Sequence, residues 1–362
     1  MIEKDNLSVD FTIEKEKLKS SKENKFTRKE KSSAKNVYKN ITEVVNKSDK
    51  ALRPKSFDEY IGQKELINKL KIYIKSALLR DEPLDHILFF GPPGVGKTSL
   101  AYLLSYELNK SIYTISAPAL EKPKDLASIL TTLNKGDILF IDEIHRISKV
   151  TEEMLYSAME DCSLDVIIGE GYNSKTIKID LEPFTLVGST TKAGDLSEPF
   201  RDRFGIIESL NHYSEKELAE IINKNAKSLG LSMEKDASLE IAKRSRGTPR
   251  IANRILKRVR DFSVVENNSK VTLSLVSKSL DILNINELGL NSLDKNYLTK
   301  IYYDFNSGPV GIENICITLS ESRVTIEDFI EPYLIKKGFI KRTQRGRVLT
   351  QKAKDFIIEL VK

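Results

Sequence analysis

Cysteine is nearly absent from this chain of 362 residues: there are two, Cys162 and Cys316. Two thiols are too few for a zinc cluster, and their wide separation argues against a disulfide framework. The histidines are as sparse. His86, His145 and His212 lie far apart, with no metal-ligand spacing. No apolar run approaches the ~20 residues needed to span a membrane. The N-terminus has no apolar core of the kind a secretory signal needs. These absences point to a chain of the reducing cytoplasm.

The net charge of +6 is unevenly spread. Residues 1–50 carry thirteen Lys and Arg against nine Asp and Glu, and residues 336–362 carry nine against two. The stretch 51–335 holds 36 basic and 41 acidic residues, a net of −5. An acidic middle with a basic excess at the ends suggests a polyanion met by a terminal module. Residues 1–50 are rich in Lys, Glu, Ser and Asn, without sustained periodicity. They read as a disordered basic arm.

The densest signal is Gly91-Pro92-Pro93-Gly94-Val95-Gly96-Lys97-Thr98. This G-x-x-x-x-G-K-T pattern lets the backbone curl until several N–H groups face one anion. Lys97 can reach the outer phosphates of a nucleotide, and the Thr98 hydroxyl can sit on Mg²⁺. The apolar run 87–90 precedes it and a helical stretch follows, so a helix N-terminus faces the phosphates.

From 51 to 213 the chain alternates apolar runs (87–90, 112–115, 138–141 and 184–188) with amphipathic segments (62–80, 97–109, 123–134 and 151–161). That alternation predicts an α/β unit, a parallel sheet with helices on both faces. Ser214-Glu215-Lys216-Glu217 is a capping box opening a second unit, 214–285, with helical patterns at 214–229, 236–246, 248–261 and 271–283 and no convincing strand. A third unit, 286–362, predicts helices near 294–305, 311–319 and 325–337. A hairpin follows around Gln344-Arg345-Gly346. Three helices and a hairpin are the layout of a winged-helix module.

The strand 138–141 ends in Asp142-Glu143, at the sheet edge where α/β folds bind ligands. Asp142 is a candidate to hold Mg²⁺, and Glu143 to polarise an attacking water. The hydroxyls of Ser189, Thr190 and Thr191 end another strand and could contact a γ-phosphate or the water. In Arg201-Asp202-Arg203, an arginine could reach a neighbouring subunit's nucleotide. Thr248 and Pro249 open a helix that would face Arg250 towards bound nucleotide. Lys341, Arg342, Arg345 and Arg347 crowd the hairpin, a basic tip suited to DNA phosphates.

With these residues assembled, the chain resembles the RuvB family, bacterial Holliday-junction branch-migration motors of the AAA+ class. The resemblance covers about 51–350. It is carried by Leu52-Arg53-Pro54-Lys55, Asp58–Gln63, Gly91–Thr98, Asp142–Arg146, Ala158–Asp161, Arg201–Gly205, Arg246–Asn253, Gly308–Gly311 and Glu331–Leu334. It implies an AAA+ fold with a small all-helical lid and a C-terminal winged helix, and an ATP- and Mg²⁺-dependent hydrolase. The implied assembly is a hexameric ring working on DNA with RuvA, with RuvC resolvase as a further partner, in the nucleoid. Leu52, Arg53 and Tyr213 would line the adenine pocket. Gly91, Gly94, Gly96, Lys97, Thr98 and Ser99 would bind phosphate, and Glu160, Asp161 and Cys162 would lie at the nucleotide edge. Thr191 and Arg250 would be the two nucleotide sensors, and Arg203, rather than Arg201, the trans arginine finger. The segment 160–180 would form the hairpin that docks on RuvA. Arg342 and Arg347, with Arg323, would contact DNA.

Three departures stand out from the family pattern: Ser99 for Thr, Lys192 for Arg, and an altered hairpin tip at Tyr172-Asn173-Ser174. Two competing readings share part of this picture. A clamp-loader or initiator ATPase would share the first two units. A nucleotide-gated DNA-binding regulator would keep the phosphate loop and the wing without needing Glu143 or Arg203.

Overall fold

The computed structural model describes residues 52–361 apart from 121, 169–174 and 267–269. The basic arm 1–50 and the hairpin tip 172–174 lie outside the described residues.

The first unit is built on a five-stranded sheet in the order β2-β3-β6-β1-β7, with every pairing parallel. Its strands are β1 (Ile87–Phe90), β2 (Ile112–Ser116), β3 (Ile138–Asp142), β6 (Thr185–Thr190) and β7 (Ile206–Ser209). The helices α1 (Lys64–Arg80), α2 (Lys97–Leu108), α3 (Pro123–Leu130), α4 (Lys149–Asp161) and α5 (Glu198–Asp202) connect and flank them. The apolar strands read as continuous runs because both faces are covered. Alternate residues still divide between two cores. Ile87, Phe89, Ile138, Phe140 and Val187 join one, while Leu88, Leu139, Ile141 and Leu186 join the other. Removing a ring as completely buried as Phe140 would cost about 3–5 kcal/mol.

Between α4 and β6 an antiparallel pair, β4 (Ser163–Ile168) and β5 (Lys175–Asp180), projects as a hairpin. It occupies the segment expected to form one.

The lid contains α6 (Glu215–Ser228), α7 (Lys235–Arg244), α8 (Pro249–Val265) and α9 (Leu273–Ile282). The expected capping box is present, with the Ser214 hydroxyl and the Glu217 carboxylate bonding each other's backbone N–H. One expectation fails. The lid is not wholly helical, because Ser232–Met233 (β8) and Lys270–Val271 (β9) form a short parallel pair that ties two loops. Two residues per strand are too few to leave a periodic signal. Lid residues such as Leu218, Ile222, Leu256 and Val276 continue the core on one face of the sheet.

The third unit has its own core around Tyr297, Leu298, Ile326, Leu334 and Phe339. It contains α10 (Ser292–Asp304), α11 (Ile312–Leu319) and α12 (Arg323–Thr325). A π-helical turn (Ile326–Ile330) leads into α13 (Glu331–Lys336). The wing strands β10 (Ile340–Thr343) and β11 (Gly346–Leu349) follow. At Gly346 φ is +126°, and a Cβ would lie 2.3 Å from the Val310 carbonyl oxygen, so only glycine closes this turn. Besides β8 and β9, the sequence patterns did not show β7, the short helix α5 or a closing helix α14 (Gln351–Val361).

Candidate active site

Strand order decides what meets in the cleft. β6 lies between β1, which feeds the phosphate loop, and β3, which ends in Asp142. The hydroxyl-bearing end of β6 therefore sits between loop and carboxylates. A cleft of about 540 Å³ opens there, walled by the first unit on one side and the lid on the other.

The phosphate loop has the backbone that its glycines predict. Gly94 has φ +81°, and a Cβ on it would lie 2.8 Å from Arg250 Cβ. The Arg250 N–H donates to the Gly94 carbonyl (3.2 Å), which seats the start of α8 on the loop. Gly96 precedes α2, whose N-terminal N–H groups face an anion site. The Lys97 ammonium donates to the Gly91 and Pro92 carbonyls, at 2.7 and 2.9 Å. Burial brings its pKa down to about 8, with Asp142 acting against that shift.

The three hydroxyls of the β6 end separate into different tasks. Ser189, completely buried, donates to Asp142 Oδ1. Thr190 bonds the His145 ring nitrogen Nδ1 at 2.9 Å. Thr191 lines the cleft with its hydroxyl uncommitted among the described residues. Thr190 and Thr191 line the cleft, while Ser189 is buried behind it.

Asp142, which lines the cleft, also accepts the Glu143 N–H on Oδ1 at 3.1 Å, and Oδ2 takes no hydrogen bond among the described residues. Glu143 is held in the left-handed region at φ 53°, a backbone state that costs about 1 kcal/mol or more and turns its side chain off the strand direction. Its carboxylate pairs with Arg146 at 2.9 Å and is about half exposed.

A Mg²⁺ ion fits these donors. Among the described residues no cluster of three or more His, Cys, Asp or Glu could hold a metal alone. One carboxylate, Asp142, and one hydroxyl, Thr98, line the cleft, so an ion there completes its shell with phosphate oxygens and water. That is the coordination Mg²⁺ favours.

At the other end, Leu52, Arg53, Tyr60, Ile61 and Tyr213 line the cleft. Arg53 stacks over the Tyr102 ring, 4.7 Å from its centroid. The Tyr213 hydroxyl donates to that of Tyr60 at 2.9 Å. Burial lifts Tyr213 to about 12 and Tyr60 well above the ordinary phenol value. Sequence reasoning gave no role to Tyr60, nor to Asn225 and Asn253, which bond each other at 2.7 Å on the lid wall.

Ser99 also lines the cleft, but Glu160, Asp161, Cys162 and Arg203 do not. Arg203 pairs with Glu160 at 2.7 Å, both side chains about half exposed. Most of the expected nucleotide-site residues therefore surround a single cleft, and Glu160, Asp161, Cys162 and Arg203 lie outside its lining.

Three family models cover this architecture in order. The Holliday junction DNA helicase RuvB P-loop domain matches residues 52–210, the RuvB AAA lid domain 213–286, and the RuvB C-terminal winged helix domain 287–358. The chain belongs to the RuvB family. The Holliday junction branch migration complex subunit RuvB of Fusobacterium nucleatum subsp. nucleatum is 52% identical over 304 residues, which is 84% of this chain and 92% of that protein. The Thermotoga maritima RuvB Holliday junction branch migration motor superposes with a TM-score of 0.77. It is 45% identical, with 85% of this chain and 98% of that one covered. A single-substitution variant of the same motor gives a TM-score of 0.78 at 46% identity, with the same coverage. RuvB membership accounts for the two-unit ATPase followed by a winged helix, which a clamp loader would not carry.

The wing differs from its expected form. Instead of one exposed basic tip, the arginines divide. Arg347, only 12% exposed, donates through Nε to Glu331 Oε1 (2.8 Å) and through Nη2 to Glu327 (2.9 Å). Arg342 donates through Nε to Glu331 Oε2 at 2.6 Å. Glu331 is completely buried and also accepts from the Tyr297 hydroxyl at 2.9 Å. Arg323 pairs with Glu327 and Glu313. Lys341, Arg342 and Arg345 are exposed, and of these Arg342 alone is tied to the buried Glu331.

Proposed function

We propose that this chain is the ATP-driven motor of Holliday-junction branch migration, assembling as a hexameric ring on duplex DNA and working with RuvA. The observation that carries this is the shared cleft. Phosphate loop, acidic strand end, Thr191 and the lid's Arg250 surround one volume of about 540 Å³, whereas Arg203 stands outside it. A complete hydrolytic wall without its arginine fits a site finished by a neighbouring subunit. RuvC, as a further partner at the junction, is the finer part of this reading.

Catalysis in such a site is mostly positioning and charge neutralisation. Lys97 exchanges two loop carbonyls for phosphate oxygens. Thr191 and Arg250 hold the outer phosphate from opposite walls. Glu143 releases Arg146 and polarises the attacking water. Thr98 and Asp142 would hold Mg²⁺, which supplies charge neutralisation on the phosphates. Arg203 of one subunit exchanges Glu160 for the developing charge in the next. Release of the outer phosphate frees Arg250, and the lid with its attached winged helix shifts against the sheet.

Branch migration on a synthetic four-way junction, with and without RuvA, tests the reading. The wild-type chain should move the branch point with ATP and RuvA. Glu143→Gln should bind ATP, hydrolyse it at least 100-fold more slowly, and leave the junction in place. Full hydrolysis by that variant would remove Glu143 from the mechanism.

A further inference from the structure

Lys192 stands one residue beyond Thr191, at the end of the strand that meets the nucleotide. Its backbone N–H donates to the Thr190 hydroxyl at 2.9 Å, so its main chain is fixed to the cleft wall. Its side chain leaves that wall altogether. The ammonium pairs with Asp328 of the winged-helix unit at 3.2 Å.

Asp328 lies in the π-helical turn Ile326–Ile330. The turn also carries Glu327, and Glu331 follows it directly. Those are the carboxylates that hold Arg347 and Arg342 of the wing. A π turn is a wide, uncommon turn, frequent where a helix must change geometry. The contacts are continuous: Thr190 and Lys192, then Asp328, then Glu327 and Glu331, then the two wing arginines.

The winged helix is attached to the lid in a very different way. Arg246 of the lid donates to the Gly289 carbonyl at 2.9 Å and pairs with Asp294, which is 1% exposed. Its guanidinium also lies over the Tyr333 ring, 4.6 Å from the centroid. The Tyr333 hydroxyl donates to the Leu288 carbonyl at 2.7 Å. Breaking that buried joint would strand a charge, so lid and winged helix move together. Lys192–Asp328 has side chains 44% and 32% exposed. Water can replace either partner, so this pair can open and close at small cost.

We infer that Lys192 and Asp328 are positioning residues that link the nucleotide state of the cleft to the DNA-contacting wing of the same subunit. When the end of β6 shifts with the outer phosphate, Lys192 draws or releases Asp328. The π turn then resets Glu331, and with it how far the half-exposed Arg342 is freed for DNA phosphate. This rests on the proposed function, since it needs both ATP and DNA as ligands of one chain.

The test is a linkage measurement. DNA affinity is measured with and without a non-hydrolysable ATP analogue, so no turnover is needed. The ratio of the two dissociation constants should change about two- to fivefold in Lys192→Glu and in Asp328→Lys, the range an exposed pair can supply. The double variant, with the charges exchanged, should return towards the wild-type ratio. ATP-analogue affinity at zero DNA should stay within about twofold throughout. A single variant that keeps the wild-type ratio, or a double variant whose effect is the plain product of the singles, overturns the inference. So does a wild-type chain that binds both ligands with a ratio of one, which leaves the proposed function intact. A wild-type chain that binds no DNA overturns the proposed function, and this inference with it.

Discussion

Ser189 donates its hydroxyl to Asp142 across the β6–β3 boundary, one step beyond the register pair of Gly188 with Ile141. With the Glu143 N–H on the same oxygen, it fixes the rotation of the carboxylate. The other oxygen is left without a protein partner among the described residues, on a carboxylate that lines the cleft. Ser189→Ala should leave the fold within about 1 kcal/mol of wild type, the usual net worth of one hydrogen bond. Mg²⁺-dependent binding of a fluorescent ATP analogue should weaken about tenfold, as loss of an outer-shell partner does. Nucleotide binding without Mg²⁺ should not change. A Mg²⁺ titration identical to wild type would mean that Asp142 is oriented by other contacts.

Lys97 makes ATP binding sensitive to alkaline pH. Burial holds its pKa near 8 in the free protein, and bound phosphate demands the charged form. Below about pH 8 the ammonium is already present, so affinity is flat. Above it, binding must take up a proton, and affinity should fall by up to about tenfold per pH unit. Titrating the ATP analogue between pH 7.5 and 9.5 shows the break. Lys97→Arg, which keeps its charge across that range, should lose the pH dependence along with much of the affinity.

How much of this was legible in the chain depends on whether partners are close in sequence. The phosphate loop was, because strand, glycines, Lys97 and α2 are contiguous. The longer helices of the three units were, except α14, because their apolar stripes repeat. Ser189 was not: its partner is 47 residues away, and only the strand order puts β6 beside β3. The Arg347–Glu331 joint was hidden for the same reason, so the wing read as uniformly exposed charge. The strand β7 spans four residues, with Ile206 buried and Ile207 exposed, too short for a pattern. Helix α14 did leave a signal. The Thr350 hydroxyl accepts the Ala353 N–H, and Ala353 and Ile357 face the core at a four-residue spacing.

Arg203 should act on the next subunit's nucleotide. Arg203→Ala should assemble and bind ATP but lose hydrolysis by 10³-fold or more, on the order reported for arginine fingers. Mixed with Glu143→Gln subunits, which retain Arg203, it should regain a measurable part of the wild-type rate. The mixed ring contains interfaces where an intact Glu143 cleft meets an intact Arg203. No recovery across a range of mixing ratios would place the arginine's role within its own subunit.

The wing's two kinds of cation should respond differently to removal. Arg347 neutralises Glu331, a carboxylate with no exposure, and its loss leaves that charge with fewer partners. Arg347→Ala should therefore destabilise the winged helix by about 3 kcal/mol, seen as a lower melting temperature without any DNA. Arg345 is exposed, with no comparable anchor, so Arg345→Ala should melt as wild type. Its effect should be on DNA: weaker binding, and a slope of log affinity against log salt reduced by about one. If Arg345→Ala binds DNA with an unchanged salt slope, the phosphate contact belongs to another residue, and Lys341 is the next to remove. If Arg347→Ala melts as wild type, Arg342 and Tyr297 alone satisfy Glu331, and Arg347 is free to serve DNA directly.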